Sequence, residues 1–170
     1  MTTPSCRYFL DRAFDLAEEA LRAGEVPVGC VIVREGSVGD QGSIIGRGRN
    51  EVNATKNATR HAELVAIDGV LSEFDSSIFS HCSIYVTVEP CILCADALLK
   101  VGIGKIVFCC RNERFGGFGS VLDVGRGRVD VVQVEDDGLQ KRAVDLLQRF
   151  YMGENPNAPV AKMKVKKRKE

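Results

Sequence analysis

The sequence predicts an α/β fold in three layers, α/β/α, with a mixed sheet of about five strands between helices. Three observations predict it. Short β-branched runs alternate with longer stretches of helical periodicity along the 170 residues. The run at 83–88 is joined to the run at 106–109 by a helix-length segment, so those two strands are expected to be parallel. The runs at 30–33 and 44–48 are separated only by a turn-rich stretch with Gly36, Gly39, Asp40 and Gly42, so they are expected to form an antiparallel hairpin.

The elements follow in order. Residues 5–23 carry Phe9, Leu10, Ala13, Phe14, Ala17, Ala20 and Leu21 at the three-four spacing of one buried helix face, with Asp11, Asp15, Glu18 and Glu19 on the wet side. Gly24 stands where such a helix stops. After the hairpin, a polar loop with Asn50, Asn53, Asn57 and Thr59 leads to a second helix opening near His61. Thr59 is its expected N-cap, and Ala62, Val65, Ala66, Val70 and Leu71 its expected inner face. The strand at 83–88 then delivers Glu89 and Pro90 to a third helix running to about Val101. Pro90 is expected as its first residue, where a missing N–H costs nothing. A loop rich in Gly, Arg and aromatic residues spans 111–119, and a weaker strand spans 129–134. A final helix is expected to open on a capping box, Asp137-Gly138-Leu139-Gln140, with Ala143, Leu146, Leu147 and Phe150 inward. We divide the chain into one folded domain, 1–154, and a tail, 155–170, rich in Asn, Pro and Lys.

Composition narrows the function. Hydrophobic residues make up 45% of the chain, which suits a globular domain. No apolar run is long enough to span a membrane, and the N-terminus lacks a signal-peptide pattern. Seven irregularly spaced cysteines read as reduced, intracellular and mostly buried. The formal charge is zero but unevenly spread. Of the 23 basic residues, six (Lys162, Lys164, Lys166, Lys167, Arg168 and Lys169) lie in the last ten positions beside Glu170 alone. An acidic body with a basic end points to an anionic partner met by the tail.

The chemistry lies in two short segments, Thr59-Arg60-His61-Ala62-Glu63 and Glu89-Pro90-Cys91-Ile92-Leu93-Cys94. Two cysteines three apart in a first helical turn share a face, and the helix N-terminus favours the thiolate that binds zinc. His61 is a third ligand, and three protein ligands leave zinc a fourth position for water. Glu63 then serves as the base beside that water. A closed structural zinc needs a fourth protein ligand, for which Cys30, Cys82, Cys109 and Cys110 are available by type. In such a site Glu63 has no purpose, and no second C-x-x-C is present. The combination H-x-E…P-C-x-x-C is the mark of zinc nucleobase deaminases.

The wider sequence resembles the tRNA adenosine deaminases, of the cytidine deaminase-like fold. Glu25-Val26-Pro27-Val28-Gly29, Gly48-Arg49-Asn50-Glu51-Val52-Asn53, Asn57-Ala58-Thr59-Arg60-His61-Ala62-Glu63 and Tyr85-Val86-Thr87-Val88-Glu89-Pro90-Cys91 carry the likeness. Arg111-Asn112-Glu113-Arg114-Phe115-Gly116-Gly117 and Glu154-Asn155-Pro156-Asn157-Ala158-Pro159 are similar to the catalytic subunit of the eukaryotic heterodimeric enzymes. The hairpin loop at 35–43 departs from the family's tighter turn.

The resemblance implies conversion of adenosine to inosine at the wobble position of tRNA anticodons. It implies a Zn2+ cofactor and a partner subunit, related in sequence, whose catalytic Glu is replaced. It further implies that Asn50 contacts the target nucleoside, where a loop cap is the alternative, and that Val28 and Ala62 shape the base pocket, where Val28 is otherwise ordinary core. Arg111, Arg114 and Phe115 are candidates for phosphate contact and stacking, or else a solvated loop. The six basic residues of the tail, Arg168 among them, are candidates for RNA contact. They also read as a solubilising end or a nuclear-import signal, with nucleus and cytoplasm the expected compartments. Two other functions stay open on sequence alone: a deaminase of free bases or nucleotides, and a silent RNA-binding subunit.

Overall fold

The computed structural model describes residues 3–36 and 41–153. The tail, its boundary at 154/155, and the centre of the long hairpin loop lie outside the described residues.

Helix α1, Pro4–Arg22, opens with Pro4 at its first position and with Thr3 as N-cap, whose hydroxyl accepts from Cys6 N at 3.2 Å. Its six buried residues are the expected stripe without Leu21. Strands β1, Gly29–Arg34, and β2, Ser43–Arg49, form the antiparallel hairpin, with a bulge between Ile32 and Val33. Strands β3, Cys82–Val88, and β4, Lys105–Cys110, are parallel, and β5, Asp130–Gln133, pairs parallel with β4. Because β1 also pairs with β3, antiparallel, the sheet order is β2-β1-β3-β4-β5. The mixed five-stranded sheet is the predicted one.

Helices α3, Ala62–Leu71, and α4, Ile92–Val101, cover one face; α1 and α5, Asp137–Met152, cover the other. Strand residues alternate between the two cores. Ile32, Ile84, Val86, Ile106 and Phe108 face α3 and α4, whereas Val107 and Cys109 face α1 and α5. Arg142 of α5 closes the second layer. It reaches Asp11 at 3.1 Å and Glu18 at 2.9 Å while its guanidinium lies 4.4 Å from the Phe14 ring centre.

Two glycines set how closely helices approach the sheet. A Cβ on Gly29 would lie 2.2 Å from the Ala13 carbonyl oxygen, and one on Gly48 would lie 1.9 Å from that of Ala62. The second approach seats the first turn of α3 directly on β2, which places His61.

Several local expectations are corrected. Thr59 does not cap α3; its N–H and hydroxyl both bond the Asn57 side chain, and His61 itself is the N-cap. Helix α4 begins two residues after Pro90, with Cys91 as N-cap. Asp136, not a capping box at Asp137, caps α5 by accepting from Leu139 N, and Gln140 instead donates to the Val134 carbonyl. On α3 the inner face is Ala62, Glu63, Ala66, Ile67 and Val70; Leu71 is exposed. A short helix α2, Val52–Thr55, lies in the polar loop, and a 3-10 helix, Ser76–His81, precedes β3.

Candidate zinc centre and active site

The site forms at the carboxyl ends of β2 and β3, where each strand hands the chain to a helix. His61 and Cys91 occupy the same position on two helices. Both are N-caps with extended backbone, at φ −74° and ψ 157° for His61 and φ −67° and ψ 167° for Cys91. Neither side chain caps its own helix. Both turn to a common point instead, where Cys94, at the third position of α4, joins them. His61 Nδ1 lies 3.5 Å from Cys91 Sγ and 3.4 Å from Cys94 Sγ, and the two sulfurs are 3.6 Å apart.

These distances test the fit of zinc. Tetrahedral zinc with bonds of about 2.3 Å to sulfur and about 2.0–2.1 Å to nitrogen separates two sulfurs by about 3.8 Å and sulfur from nitrogen by about 3.6 Å. The three observed edges match one face of that tetrahedron. The donor set is correct for zinc, and among the described residues no other His, Cys, Asp or Glu joins the group. Cys30, Cys82, Cys109 and Cys110 are buried elsewhere, so a closed four-ligand site is not assembled from them. A zinc held by these three donors would keep a fourth position for a small molecule, the arrangement of catalytic zinc.

Electrostatics favour the metal. A hydrogen bond from Cys94 is the main influence that lowers the Cys91 thiol to about 4. Cys94 is pushed up by the same shared proton and by burial. The pair is therefore one thiolate and one thiol without a cation, and a dication is what holds both as thiolates. The hydrogen bond to Cys91 raises His61.

Glu63, second residue of α3, is 3% exposed, and burial raises its carboxyl. It lies within the reach of Cys91, His61 and Cys94. His61 and Glu63 would diverge on the side of a helix; at its open end both face the same point.

A cavity of about 440 Å³ opens over this centre. His61, Glu63 and Cys91 line it, and so do all six residues singled out for the substrate: Val28, Asn50, Ala62, Arg111, Arg114 and Phe115. Val28 also packs against both cores. Arg114 lies 5.5 Å from the Phe115 ring centre, and Phe115 is 57% exposed at the rim. Arg111 donates from Nε to the Gln133 side chain at 3.2 Å.

Two buried carboxylates belong to the site without being announced by its motifs. Glu89, 2% exposed, accepts from Asn112 N at 3.0 Å, Phe118 N at 2.9 Å and Ser120 N at 3.2 Å, and from the Ser120 hydroxyl. It thereby fastens the loop carrying Arg114 and Phe115 to the zinc-ligand segment. The Phe115 carbonyl completes the join by accepting from Ile92 N, a first-turn N–H of α4, at 2.8 Å. Glu25, fully buried, similarly holds the loop after Asn50. The available signal is a glutamate within an otherwise apolar segment, with Val26 and Val28 beside Glu25, and Val86 and Val88 beside Glu89. Leu147 and Tyr151 of α5 also line the cavity. No local pattern announces them, because they arrive from the far end of the domain.

A three-donor zinc site with a buried carboxylate beside it, set in a pocket of nucleoside size, defines a zinc-dependent deaminase. The chain belongs to the family of the cytidine and deoxycytidylate deaminase zinc-binding region, whose model matches residues 4–110. It is similar to tRNA-specific adenosine deaminase 2 of Xenopus tropicalis, at 48% identity over 174 residues, covering 96% of this chain and 99% of that one. It is also similar to the tRNA-specific adenosine deaminase subunit tad2 of Schizosaccharomyces pombe, at 41% identity, covering 92% of this chain and 39% of that one. A structure from a study of A-to-I editing by tRNA:A34 deaminases at the wobble position shares the fold. Its TM-score is 0.71 at 23% identity, covering 83% of this chain and 99% of that one.

Proposed function

We propose that this chain hydrolyses the adenine amino group of adenosine at the wobble position of tRNA anticodons, giving inosine, as the catalytic member of a heterodimer with a related subunit that lacks the catalytic Glu. The observation that carries the chemistry is Glu63, buried beside the three ligands and facing the cavity. The substrate class is supported by near-complete coverage of relatives named for tRNA-specific adenosine deamination.

His61, Cys91 and Cys94 hold the zinc. Held by these residues, zinc would supply a Lewis acid that lowers the pKa of a water to about 7. Glu63 takes a proton from the water that attacks the ring carbon bearing the amino group. It delivers the proton to the adjacent ring nitrogen and then helps protonate the departing ammonia. Val28 and Ala62 wall the base, and Asn50 contacts the nucleoside. An anticodon-loop base is unpaired, so drawing it into the pocket costs little. Arg111, Arg114 and Phe115, which line the cavity, contact the flanking backbone and bases. The basic run Lys166-Lys167-Arg168-Lys169 serves RNA contact, with distribution between nucleus and cytoplasm.

The test is inosine formation on a tRNA with adenosine at the wobble position, by this chain with and without the related subunit, beside free adenosine, cytidine and guanine. Turnover of the tRNA only with both subunits is expected. Turnover of free bases but not tRNA overturns the substrate reading, and full tRNA activity of the isolated chain overturns the heterodimer.

A further inference from the structure

We infer that Glu25 is a positioning residue for the reaction: it sets the orientation of the Asn50 side-chain amide and thereby the hydrogen-bond pattern shown to the nucleoside. The inference rests on the reading that Asn50 contacts the substrate.

Glu25 is fully buried just before β1, yet no Lys, Arg or His stands among its hydrogen-bond partners. A buried carboxylate without a cation persists only if donors satisfy its oxygens. Glu25 has three. Oε1 accepts from Ala54 N at 2.7 Å; Oε2 accepts from Asn53 N at 3.1 Å and from Asn50 Nδ2 at 3.0 Å. The two backbone donors belong to the first turn of α2, whose own N-cap, Glu51, makes no capping bond from its side chain. Glu25 therefore replaces the missing cap from outside the helix. The same carboxylate holds the only side-chain donor in the group.

Asn50 is 6% exposed and lines the catalytic cavity. Its backbone is pinned separately, by Asn50 N donating to the Val28 carbonyl at 3.2 Å. The side chain alone answers to Glu25. Both Glu25 oxygens act as acceptors, so the amide turns its nitrogen, not its oxygen, toward Glu25. That choice consumes one N–H and fixes the amide plane. The second N–H and the carbonyl oxygen remain as an oriented donor and acceptor. A neutral amide in place of Glu25 carries a donor as well as an acceptor, so both orientations of Asn50 become satisfiable. The nucleoside then meets a mixture of two patterns, one of them reversed.

The experiment is a double-mutant cycle of Glu25→Gln and Asn50→Ala, made in the complex of both subunits and read as kcat and KM for inosine formation on the wobble-adenosine tRNA. Zinc content and melting temperature are measured on each variant. Both single variants are expected to keep one zinc and to lose roughly ten- to hundredfold in kcat/KM, the size of one charge-assisted hydrogen bond. Glu25→Gln in the Asn50→Ala background is expected to cost nothing further. Losses that multiply overturn the inference, because Glu25 then acts on α2 alone. Wild-type kinetics of Glu25→Gln also overturn it. Wild-type kinetics of Asn50→Ala instead reject the underlying contact with the nucleoside. Asn50→Asp leaves Glu25 intact even if Glu25→Gln fails to fold. It places a second acceptor where a donor is required, and retained activity in that variant overturns the inference as well.

Discussion

Helices normally open on Ser, Thr, Asp or Asn, whose side chains satisfy the first free N–H groups. Here α3 and α4 open on His61 and Cys91, and neither caps its helix. The local rule is broken where the side chain is committed to a metal, so the stability given up at the cap marks the function. Glu63→Gln separates metal from chemistry. Zinc is expected to stay near one per chain by atomic absorption while deamination falls roughly 10²–10⁴-fold, the usual contribution of a general acid–base group. Cys91 supports a pH-dependent prediction. Its thiol is lowered to about 4, first by the hydrogen bond from Cys94, whereas burial raises Cys30, Cys82, Cys109 and Cys110. At pH 6, above the lowered value and below the raised ones, only Cys91 in this group is a thiolate. In zinc-free protein iodoacetamide should therefore alkylate Cys91 first, as read by peptide mass spectrometry, and zinc should protect it.

At the scale of elements, the site depends on how closely two pieces dock. A Cβ at Gly48 meets the Ala62 carbonyl at 1.9 Å, and neither backbone can yield without moving the start of α3. Gly48→Ala should destabilise the fold by about 1–3 kcal/mol, as overpacking does, and lower zinc content because His61 shifts with the helix. Gly116 lies in the loop that Glu89 holds, and a Cβ there falls 2.6 Å from the Glu89 carboxylate and 2.7 Å from the Asn112 carbonyl oxygen. Gly116→Ala should displace Arg114 and Phe115 but leave the metal ligands in place. The expected result is retained zinc with KM for tRNA raised more than kcat is lowered. Equal loss of zinc in both glycine variants contradicts this division of labour.

For the whole molecule, the uneven distribution of charge along the chain bears on substrate binding. Leu147 and Tyr151 bring the last turns of α5 to the wall of the cavity. The six basic residues at 162–169 follow within a short stretch, while the rest of the chain carries 17 basic against 22 acidic residues, from totals of 23 each. Truncation after Pro159 should weaken tRNA binding and flatten its salt dependence. Each single-strand phosphate that the tail neutralises accounts for about 0.7 of the slope. Zinc content and melting temperature should not change. Affinity across a salt series, for full-length and truncated chains each with the related subunit, makes the comparison; coincident lines reject an RNA role for the tail.

The sequence by itself determined the three residues that group as possible zinc ligands, the carboxylate beside them and the mixed sheet. Each is written locally: ligands in fixed spacings, strands in β-branched runs, and parallel or antiparallel pairing in the length of the connection. The starts of α3, α4 and α5 are not written that way. A cap depends on where a side chain turns, and residue type alone points to Thr59 and Pro90. Only the tertiary structure decided that no further cysteine completes the zinc shell and that Leu147 and Tyr151 reach the pocket. The roles of Glu25 and Glu89 were decided there too. A carboxylate's role in a core depends on which donors converge on it, and those donors lie 23 to 31 residues away along the chain. No local period carries that information; the sheet supplies it by bringing the ends of β2, β3 and β4 together.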